Sequence, residues 1–291
     1  MKSINCAQAL RAAYDRGLER LDAQLLLLHA LGKPASARSW LLAHDLDQLA
    51  QGAADAFHAF TLRRTAGEPL AYIVGSKEFF GLPLQVDARV LVPRPDTEIL
   101  VEWSLELLKG FDAPLQVLDL GTGSGAIALA IAHSLQVAGR DVTVTAVDAS
   151  VAALNVARNN ARELGLAVNI FESNWLAQVN ECFHLIASNP PYIASADPHL
   201  AALKHEPLRA LAAGQDGLDD IRQIVSEAPS HLLSGGWLLL EHGYDQAGRV
   251  RELLIRQGFA QGQSRRDLAG IERCSGGQWM HGQASPAMHA A

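Results

Sequence analysis

The sequence predicts an α/β protein in which a doubly wound, mostly parallel sheet follows a small all-helical N-terminal domain and a linking β-hairpin. From residue 115 onward, short apolar runs alternate with segments of helical periodicity, the pattern of parallel strands joined by right-handed crossovers. Before residue 65, apolar residues recur at helical spacing with turn residues between them. A glycine-rich turn ends the first apolar run of the alternating region, as expected at a strand-to-helix junction.

Each element follows from a local pattern. About four helices are expected between residues 3 and 64, and Gly32 with Pro34 ends one of them. The runs 71–74 and 79–86, separated by glycine, are typical of a hairpin, and the proline-containing segment 93–98 predicts a stiff linker that caps the next helix. Further strands are predicted over 115–120, 142–147, 167–171, 183–187 and 237–240, with helices starting at 126 and 151.

These patterns predict a helical domain over residues 1–70, a hairpin linker over 71–92 and an α/β domain over 93–281. Residues 282–291 have no periodicity, so we expect a disordered tail. In a doubly wound sheet, ligands bind at the carboxyl ends of the strands, where the strand order reverses. Asp119, Asp148 and Asn189 all follow or end predicted strands, so we expect them near a ligand.

Bulk properties exclude several classes of protein. The chain has 291 residues and a formal net charge of −7, and this acidic balance argues against sequence-independent binding of nucleic acid. Its three cysteines are far apart, which favours neither a disulfide framework nor a zinc site. The N-terminus lacks the apolar stretch of a secretory signal, and the most apolar helical segment, 23–31, is shorter than the roughly 18 residues of a membrane span. We therefore expect a soluble cytoplasmic protein.

The glycine turn predicts a site for a nucleotide-like cofactor. Its glycines permit a tight turn and close approach of a ligand to the backbone; the turn consists of Gly121, Thr122, Gly123, Ser124 and Gly125. Asp148 ends the next predicted strand, where a carboxylate can accept hydrogen bonds from both ribose hydroxyls. The same spacing also satisfies a dinucleotide fingerprint, so a nicotinamide cofactor remains an alternative at this point.

Two further features favour S-adenosylmethionine. Asp119 directly precedes the turn, and a carboxylate there would attract an ammonium group and repel a pyrophosphate. Trp175 follows the third predicted strand, where its ring could stack on adenine while Asn174 accepts from the exocyclic amine.

The sequence Asn189-Pro190-Pro191-Tyr192 predicts a binding site for a planar NH2 group. Two prolines stiffen the backbone, so the Asn189 side-chain oxygen and the Pro190 carbonyl can accept both hydrogens of one amino group. Tyr192 offers a flat apolar face that holds the plane. Neutral acceptors of this kind orient the nitrogen lone pair and stabilise charge that develops on it. We therefore predict methyl transfer to an amide or amino nitrogen, with Asn189, Pro190 and Tyr192 as catalytic residues and no metal.

Beyond these motifs, the chain resembles the protein-glutamine N5-methyltransferases that modify bacterial peptide-release factors on the glutamine of the Gly-Gly-Gln loop. The resemblance runs nearly end to end. It is carried by residues 68–73, 78–82, 93–98, 121–125, 189–193, 206–207, 216–219, 241–243 and 267–270.

The resemblance implies a class I methyltransferase domain over 93–281, a helical domain over 1–70 that binds the release factor, and S-adenosylmethionine as methyl donor. It also implies that residues 121–125, Asp148, Trp175 and Asn189 hold the cofactor and that residues 189–192 hold the glutamine. Asn174 stands where the family commonly has an acid.

Three alternatives remain open from the sequence. Within the same chemistry, the substrate could be a ribosomal-protein glutamine, or adenine N6 in a nucleic acid, which would need a flipped base and a basic track for the strand. From a different class, the chain could be a non-catalytic binding module that uses the fold as a scaffold.

Overall fold

The computed structural model describes residues 4–112 and 114–280, and the predicted tail at 282–291 lies outside them. The chain divides into two compact units that meet between Ser76 and Lys77. Within the described residues, no helix combines the length and the hydrophobicity that crossing a bilayer requires.

The first unit is helical. Its helices in the described residues are α1 (Cys6–Tyr14), α2 (Arg20–Ala30), α3 (Arg38–Ala43), α4 (Gln51–Thr65) and α5 (Leu70–Val74). Helix α1 begins with a capping box, because Asn5 and Gln8 each accept a hydrogen bond from the other's backbone N–H. The unit has its own core around the buried leucines of α2, Leu26, Leu27 and Leu28, so the predicted helical N-terminal domain is confirmed.

The prediction of a strand over 71–74 was wrong. These residues form α5, which starts after Pro69 and ends at Gly75, where φ is +77°. A run of four apolar residues has no period that distinguishes a strand from a buried helix turn. Burial of Ala71, Tyr72 and Ile73 favours the helix.

The hairpin begins at β1 (Ser76–Phe79), which pairs with β2 (Leu82–Gln85). Phe80 and Gly81 connect the two strands, and both have positive φ, as the central residues of a type I′ turn do. The linking hairpin is therefore shorter than predicted and starts after the helical turn.

A seven-stranded sheet forms the centre of the second unit as described. Its strands are β3 (Leu115–Leu120), β4 (Val142–Asp148), β5 (Asn169–Glu172), β6 (Phe183–Ser188), β7 (Leu232–Glu241), β8 (Ala260–Arg266) and β9 (Glu272–Gln278). They lie in the order β5-β4-β3-β6-β7-β9-β8. The first five are parallel, whereas β9 is antiparallel to both of its neighbours.

The strand order reverses between β3 and β6. The chain runs outward from β3 to β5 on one side and from β6 to β7 on the other, so the carboxyl ends of β3 and β6 flank the switch point. Leu120 is in register with Ser188 there. Asp119 and Asn189 therefore come together at the place where such sheets bind ligands.

Helices cover both faces of the sheet. They are α6 (Glu98–Leu108), α7 (Ala126–Val137), α8 (Val151–Leu164), α9 (Asp219–Glu227) and α10 (Ala247–Gln257). Val117 packs in the core that contains α6 and α7, and its neighbour Leu118 packs in the core that contains α9 and α10. This alternation confirms the doubly wound fold.

Candidate functional site

A cavity of about 260 Å³ lies at the carboxyl ends of the parallel strands. Its walls come from the segments after β3, β4, β5 and β6, and from residues 89–97 before α6. The predicted residues that line it are Gly121, Thr122, Gly123, Ser124, Asp148, Asn174, Trp175, Asn189 and Pro191. The glycine turn and the proline-stiffened bend therefore face one space.

Four predicted site residues are absent from the wall of this cavity as described. Gly125 precedes α7, and a Cβ on it would lie 2.9 Å from Leu129 Cδ1, so the helix packs closely against this position. Pro190 is buried, and within the described residues no main-chain N–H donates to its carbonyl. Asp119 and Tyr192 lie behind the wall and make the contacts described below.

Asp119 holds the glycine turn from below. Its Oδ2 accepts hydrogen bonds from the Thr122 hydroxyl at 2.6 Å and from the Ala128 N–H at 3.2 Å. Oδ1 is buried and has no hydrogen-bond partner within the described residues. Burial raises the pKa of this carboxyl to about 7, and the Asp148 charge adds to the effect.

The protonation of Asp119 should make stability depend on pH. Because its pKa is higher in the folded state than the usual value near 4, its contribution is fully present below pH 4 and is lost as the pH rises through about 7. We expect Asp119→Asn to gain unfolding free energy relative to the wild type between about pH 4 and 7, by at most ~4 kcal/mol. Urea titrations measure this difference. Exposed Asp141→Asn is the control, and parallel wild-type and Asp119→Asn curves would contradict the assignment.

Asp148 fixes the turn from the other side. Its Oδ2 accepts from the Gly123 N–H at 2.9 Å, and its Oδ1 accepts from the Ser150 N–H at 2.8 Å. Ser150 in turn caps α8 through the Ala153 N–H. A carboxylate has about four acceptor positions, so the two that remain can bind a pair of hydroxyls.

Trp175 lies across the glycine turn. Its indole N–H donates to Asp220 Oδ1 at 3.2 Å, and a Cβ on Gly121 would be 3.2 Å from the ring. The ring is half-buried and lines the cavity. Asp220, on α9, is a residue that the sequence analysis missed, and the acidic start of α9 was its signal.

Glycine at position 121 is expected to be essential for this arrangement. Gly121 has φ of +71°, so Gly121→Ala strains the backbone by about 1–2 kcal/mol and also displaces the Trp175 ring. We expect S-adenosylmethionine affinity to fall at least tenfold in a calorimetric titration. Gly139→Ala is the matched control, because its φ is +66° and nothing lies within 4 Å of the added Cβ. Equal cofactor affinity of the two variants would contradict this role of the close contact.

The bend at 189–192 is held by side chains that sequence reasoning did not identify. Asn189 Nδ2 donates to the Thr97 hydroxyl at 3.1 Å, which leaves Oδ1 without a donor among the described groups. The Tyr192 hydroxyl donates to Glu241 Oε1 at 3.4 Å, and Gln246 Nε2 donates to the Tyr192 carbonyl at 3.0 Å. Burial raises the pKa of the Tyr192 hydroxyl, so it stays protonated.

Glu206 binds the segment 89–97, which forms part of the cavity wall. Its side chain is 3% exposed, accepts from the Val92 N–H at 3.1 Å and forms an ion pair with Arg94 at 2.5 Å. Arg94 lines the cavity, as do Arg89 and Arg209. Glu206 therefore holds the Val92 backbone and the Arg94 side chain at the site, a role that we did not predict from the sequence.

The described residues contain no group of three or more His, Cys, Asp or Glu side chains arranged to hold a metal ion. The residues found to line the cavity include no histidine. What the cavity offers is backbone at a glycine turn, a carboxylate, an indole ring and amide oxygens. These groups suit a nucleoside and an amino group.

Two sequence families match the chain. Residues 104–246 match the family described as Methyltransferase small domain, and residues 4–75 match the PrmC N-terminal domain. Among solved structures, a 16S rRNA methyltransferase of T. thermophilus in complex with AdoMet and guanosine has a TM-score of 0.53 and 19% identity. The aligned region covers 70% of this chain and 49% of the T. thermophilus chain. At 19% identity, this similarity shows the fold alone.

Curated relatives match over nearly the whole length. The release factor glutamine methyltransferase of Bordetella pertussis is 48% identical over 267 residues, which is 90% of this chain and 96% of the relative. The enzyme of the same name from Burkholderia pseudomallei is 48% identical over 282 residues, covering 94% and 95% of the two chains. Together with the strand order and the cavity at the switch point, this similarity shows that the chain belongs to the family of release factor glutamine methyltransferases.

Proposed function

We propose that this protein transfers the methyl group of S-adenosylmethionine to the side-chain amide nitrogen, N5, of the glutamine in the Gly-Gly-Gln loop of peptide chain release factors. The observation that carries the proposal is the orientation of Asn189. Its NH2 group is bound to Thr97, so its oxygen is the free end of the amide in a cavity shared with the glycine turn. A family of glutamine methyltransferases supplies the class of substrate.

The described residues fit S-adenosylmethionine, which supplies a methyl group on a positively charged sulfur. A Cβ on Gly121 would lie 3.2 Å from the Trp175 ring. Glycine therefore keeps the space beside the ring open, and a flat ligand that stacks on the ring requires this space. We assign the ribose hydroxyls to Asp148, and the adenine to Trp175 and Asn174. The turn residues Thr122, Gly123 and Ser124 line the same space. Gly125 supports the turn through packing.

The role that we propose for Asp119 differs from the direct contact with an ammonium group that we expected from the sequence. Asp119 lies beneath the turn, with Oδ2 already bound. Its buried and unpartnered Oδ1 is the atom that a cationic ligand would stabilise. We therefore propose that Asp119 acts mainly by holding the turn, with Oδ1 as an acceptor toward the cofactor side.

The protein's own contribution to the reaction is orientation. A carboxamide nitrogen is a poor nucleophile because its lone pair is delocalised into the carbonyl. If Asn189 Oδ1 and the Pro190 carbonyl accept the two N–H bonds, the lone pair is directed at the methyl group and the charge that builds on nitrogen is stabilised. Pro191 lines the cavity, and Tyr192 supports the bend from behind.

We further propose that the helical domain, residues 1–70, recognises the release factor and that residues 93–281 carry the chemistry. Binding energy from a separate domain can position a loop that is itself too small to bind tightly. A release-factor substrate also implies that the protein works in the cytoplasm.

The test is transfer of a radiolabelled methyl group from S-adenosylmethionine to purified release factor. We expect label in the wild-type release factor and none in a release factor whose loop glutamine is replaced by alanine. Label of equal intensity in both substrates would place the reaction on another residue. No label in either would favour a binding module.

A further inference from the structure

We infer that Gln246 is a positioning residue whose side-chain amide fixes the end of the bend at 189–192, and thereby sets where the acceptors of Asn189 and Pro190 stand in the cavity. This inference rests on the proposed function and deepens it, because it identifies what holds the acceptor pair in place. Gln246 is not among the residues found to line the cavity, so it would act through the bend and not by contact with a ligand.

The side-chain amide of Gln246 joins three segments of the chain. Its Nε2 donates to the Tyr192 carbonyl at 3.0 Å and to the Asp216 carbonyl at 3.3 Å, and its Oε1 accepts from the Gly243 N–H at 2.8 Å. Gln246 is 7% exposed and directly precedes α10. One buried amide therefore connects the bend after β6, the loop before α9 and the residues after β7.

The orientation of this amide follows from its partners. A main-chain N–H can only donate, so the contact with Gly243 requires the amide oxygen. Carbonyls can only accept, so Tyr192 and Asp216 require the two N–H bonds of the amide. Both hydrogens are thus used. A glutamate of the same size could still accept from Gly243, but it would place a second acceptor against the two carbonyls.

The bend needs such a contact because its own backbone has few donors. Two of its four residues are proline and have no N–H, so a ladder of main-chain bonds cannot hold it. Main-chain pairing resumes at Ile193, whose N–H donates to the Leu211 carbonyl at 2.9 Å. Gln246 holds the Tyr192 carbonyl just before this pairing. Loss of that contact would leave the proline segment free to shift.

The loop at 216–217 gives the amide a firm partner. Gly217 has φ of +73°, and a Cβ on it would overlap the Tyr192 carbonyl oxygen, so the loop packs directly against the bend. The neighbouring Asp216 carboxylate is paired with Arg222 of α9 and with Arg249 of α10. The loop is therefore fixed by both helices at the point where it meets the bend.

The experiment compares Gln246→Glu and Gln246→Met with the control Gln257→Met, which alters an exposed glutamine of α10. Methyl transfer to release factor is measured at saturating S-adenosylmethionine. Both Gln246 variants should lose about 10- to 100-fold in kcat, because a displacement of about 1 Å at a reacting group can cost about 100-fold. The Kd for S-adenosylmethionine and the KM for release factor should each stay within about threefold, since other residues supply that binding energy. The control should keep the wild-type kcat.

Gly217→Ala tests the same point without altering Gln246. Its Cβ would displace the Tyr192 carbonyl, so kcat should fall while the cofactor Kd is unchanged. Gly165→Ala is the matched control, because its φ is +65° and nothing lies within 4 Å of the added Cβ. Wild-type kcat in Gln246→Glu, or equal kcat in the two glycine variants, would overturn the inference. A loss of cofactor affinity as large as the loss of kcat would also overturn it, because the variants would then act on the whole cavity.

Hydrogen exchange provides a reading that needs no substrate. The side-chain NH2 protons of Gln246, assigned in NMR spectra by their loss in Gln246→Met, should exchange with D2O much more slowly than those of exposed Gln136, because both are hydrogen-bonded at a buried residue. Exchange as fast as that of Gln136 would overturn the inference. If the wild type methylates no release factor, the proposed function fails, while this exchange still decides whether the amide of Gln246 holds the bend.

Discussion

Asn189→Ala should reduce methyl transfer at least about 100-fold while leaving the affinity for S-adenosylmethionine within a few-fold. The variant removes the oxygen that accepts one substrate N–H bond, and loss of one preorganised electrostatic contact of this kind costs about 10²–10³ in rate. The substrate N–H left unpaired in a closed site adds a penalty of about 1–3 kcal/mol.

Single-turnover transfer to release factor measures the rate, and calorimetry measures cofactor affinity. Asn155→Ala is the matched control, since Asn155 is exposed on α8 and outside the cavity wall as described. A near-normal rate in Asn189→Ala would mean that the acceptor is misassigned. A collapse of cofactor affinity would assign Asn189 to the cofactor instead of the substrate.

Asp148→Ala should weaken S-adenosylmethionine binding by about 100-fold, with a smaller effect on the rate at saturating cofactor. Two effects combine in this variant. Hydrogen bonds to a charged group contribute about 1.5–3 kcal/mol each, and the proposed ribose contacts would be lost. The Gly123 and Ser150 N–H groups would also lose the carboxylate that holds the turn.

Calorimetric titration with S-adenosylmethionine gives the affinity. Thermal unfolding of the ligand-free protein measures the loss of the turn contacts separately from the loss of the ribose contacts. Asp141→Ala, an exposed aspartate in the same unit, is the control. Unchanged affinity in Asp148→Ala would remove the ribose role. If ligand-free stability fell as much as cofactor binding, the turn contacts alone would explain the effect.

The central strands of the sheet could be predicted because they are buried on both faces. Four of the six residues in 115–120 and four of the five in 183–187 are apolar, and β3 and β6 begin at the predicted residues. Strand β8 was not predicted, because Ala260–Arg266 is polar and lies at the edge of the sheet. The helical turn at 70–74 was misread, since the packing that decides its conformation lies outside the local sequence.

Residues of the site could be predicted where a polar side chain lies at or just after the carboxyl end of a strand. Asp148 and Asn189 satisfy that condition, and both line the cavity. Thr97 and Glu241 were missed because they act through contacts with residues 92 and 49 positions away in the chain. The contacts of Asp119 with Thr122 and Ala128 could not be predicted, since a sequence does not show which groups of the following turn and helix a strand-end carboxylate binds.

In our proposal, the amide oxygens of the bend direct a glutamine nitrogen toward the methyl donor. Tandem mass spectrometry of release factor incubated with the enzyme and S-adenosylmethionine locates the methyl group. We expect one added methyl group, on the side-chain nitrogen of the Gly-Gly-Gln glutamine. A methyl group on any other residue, or an unmodified loop after full incubation with active enzyme, would contradict it.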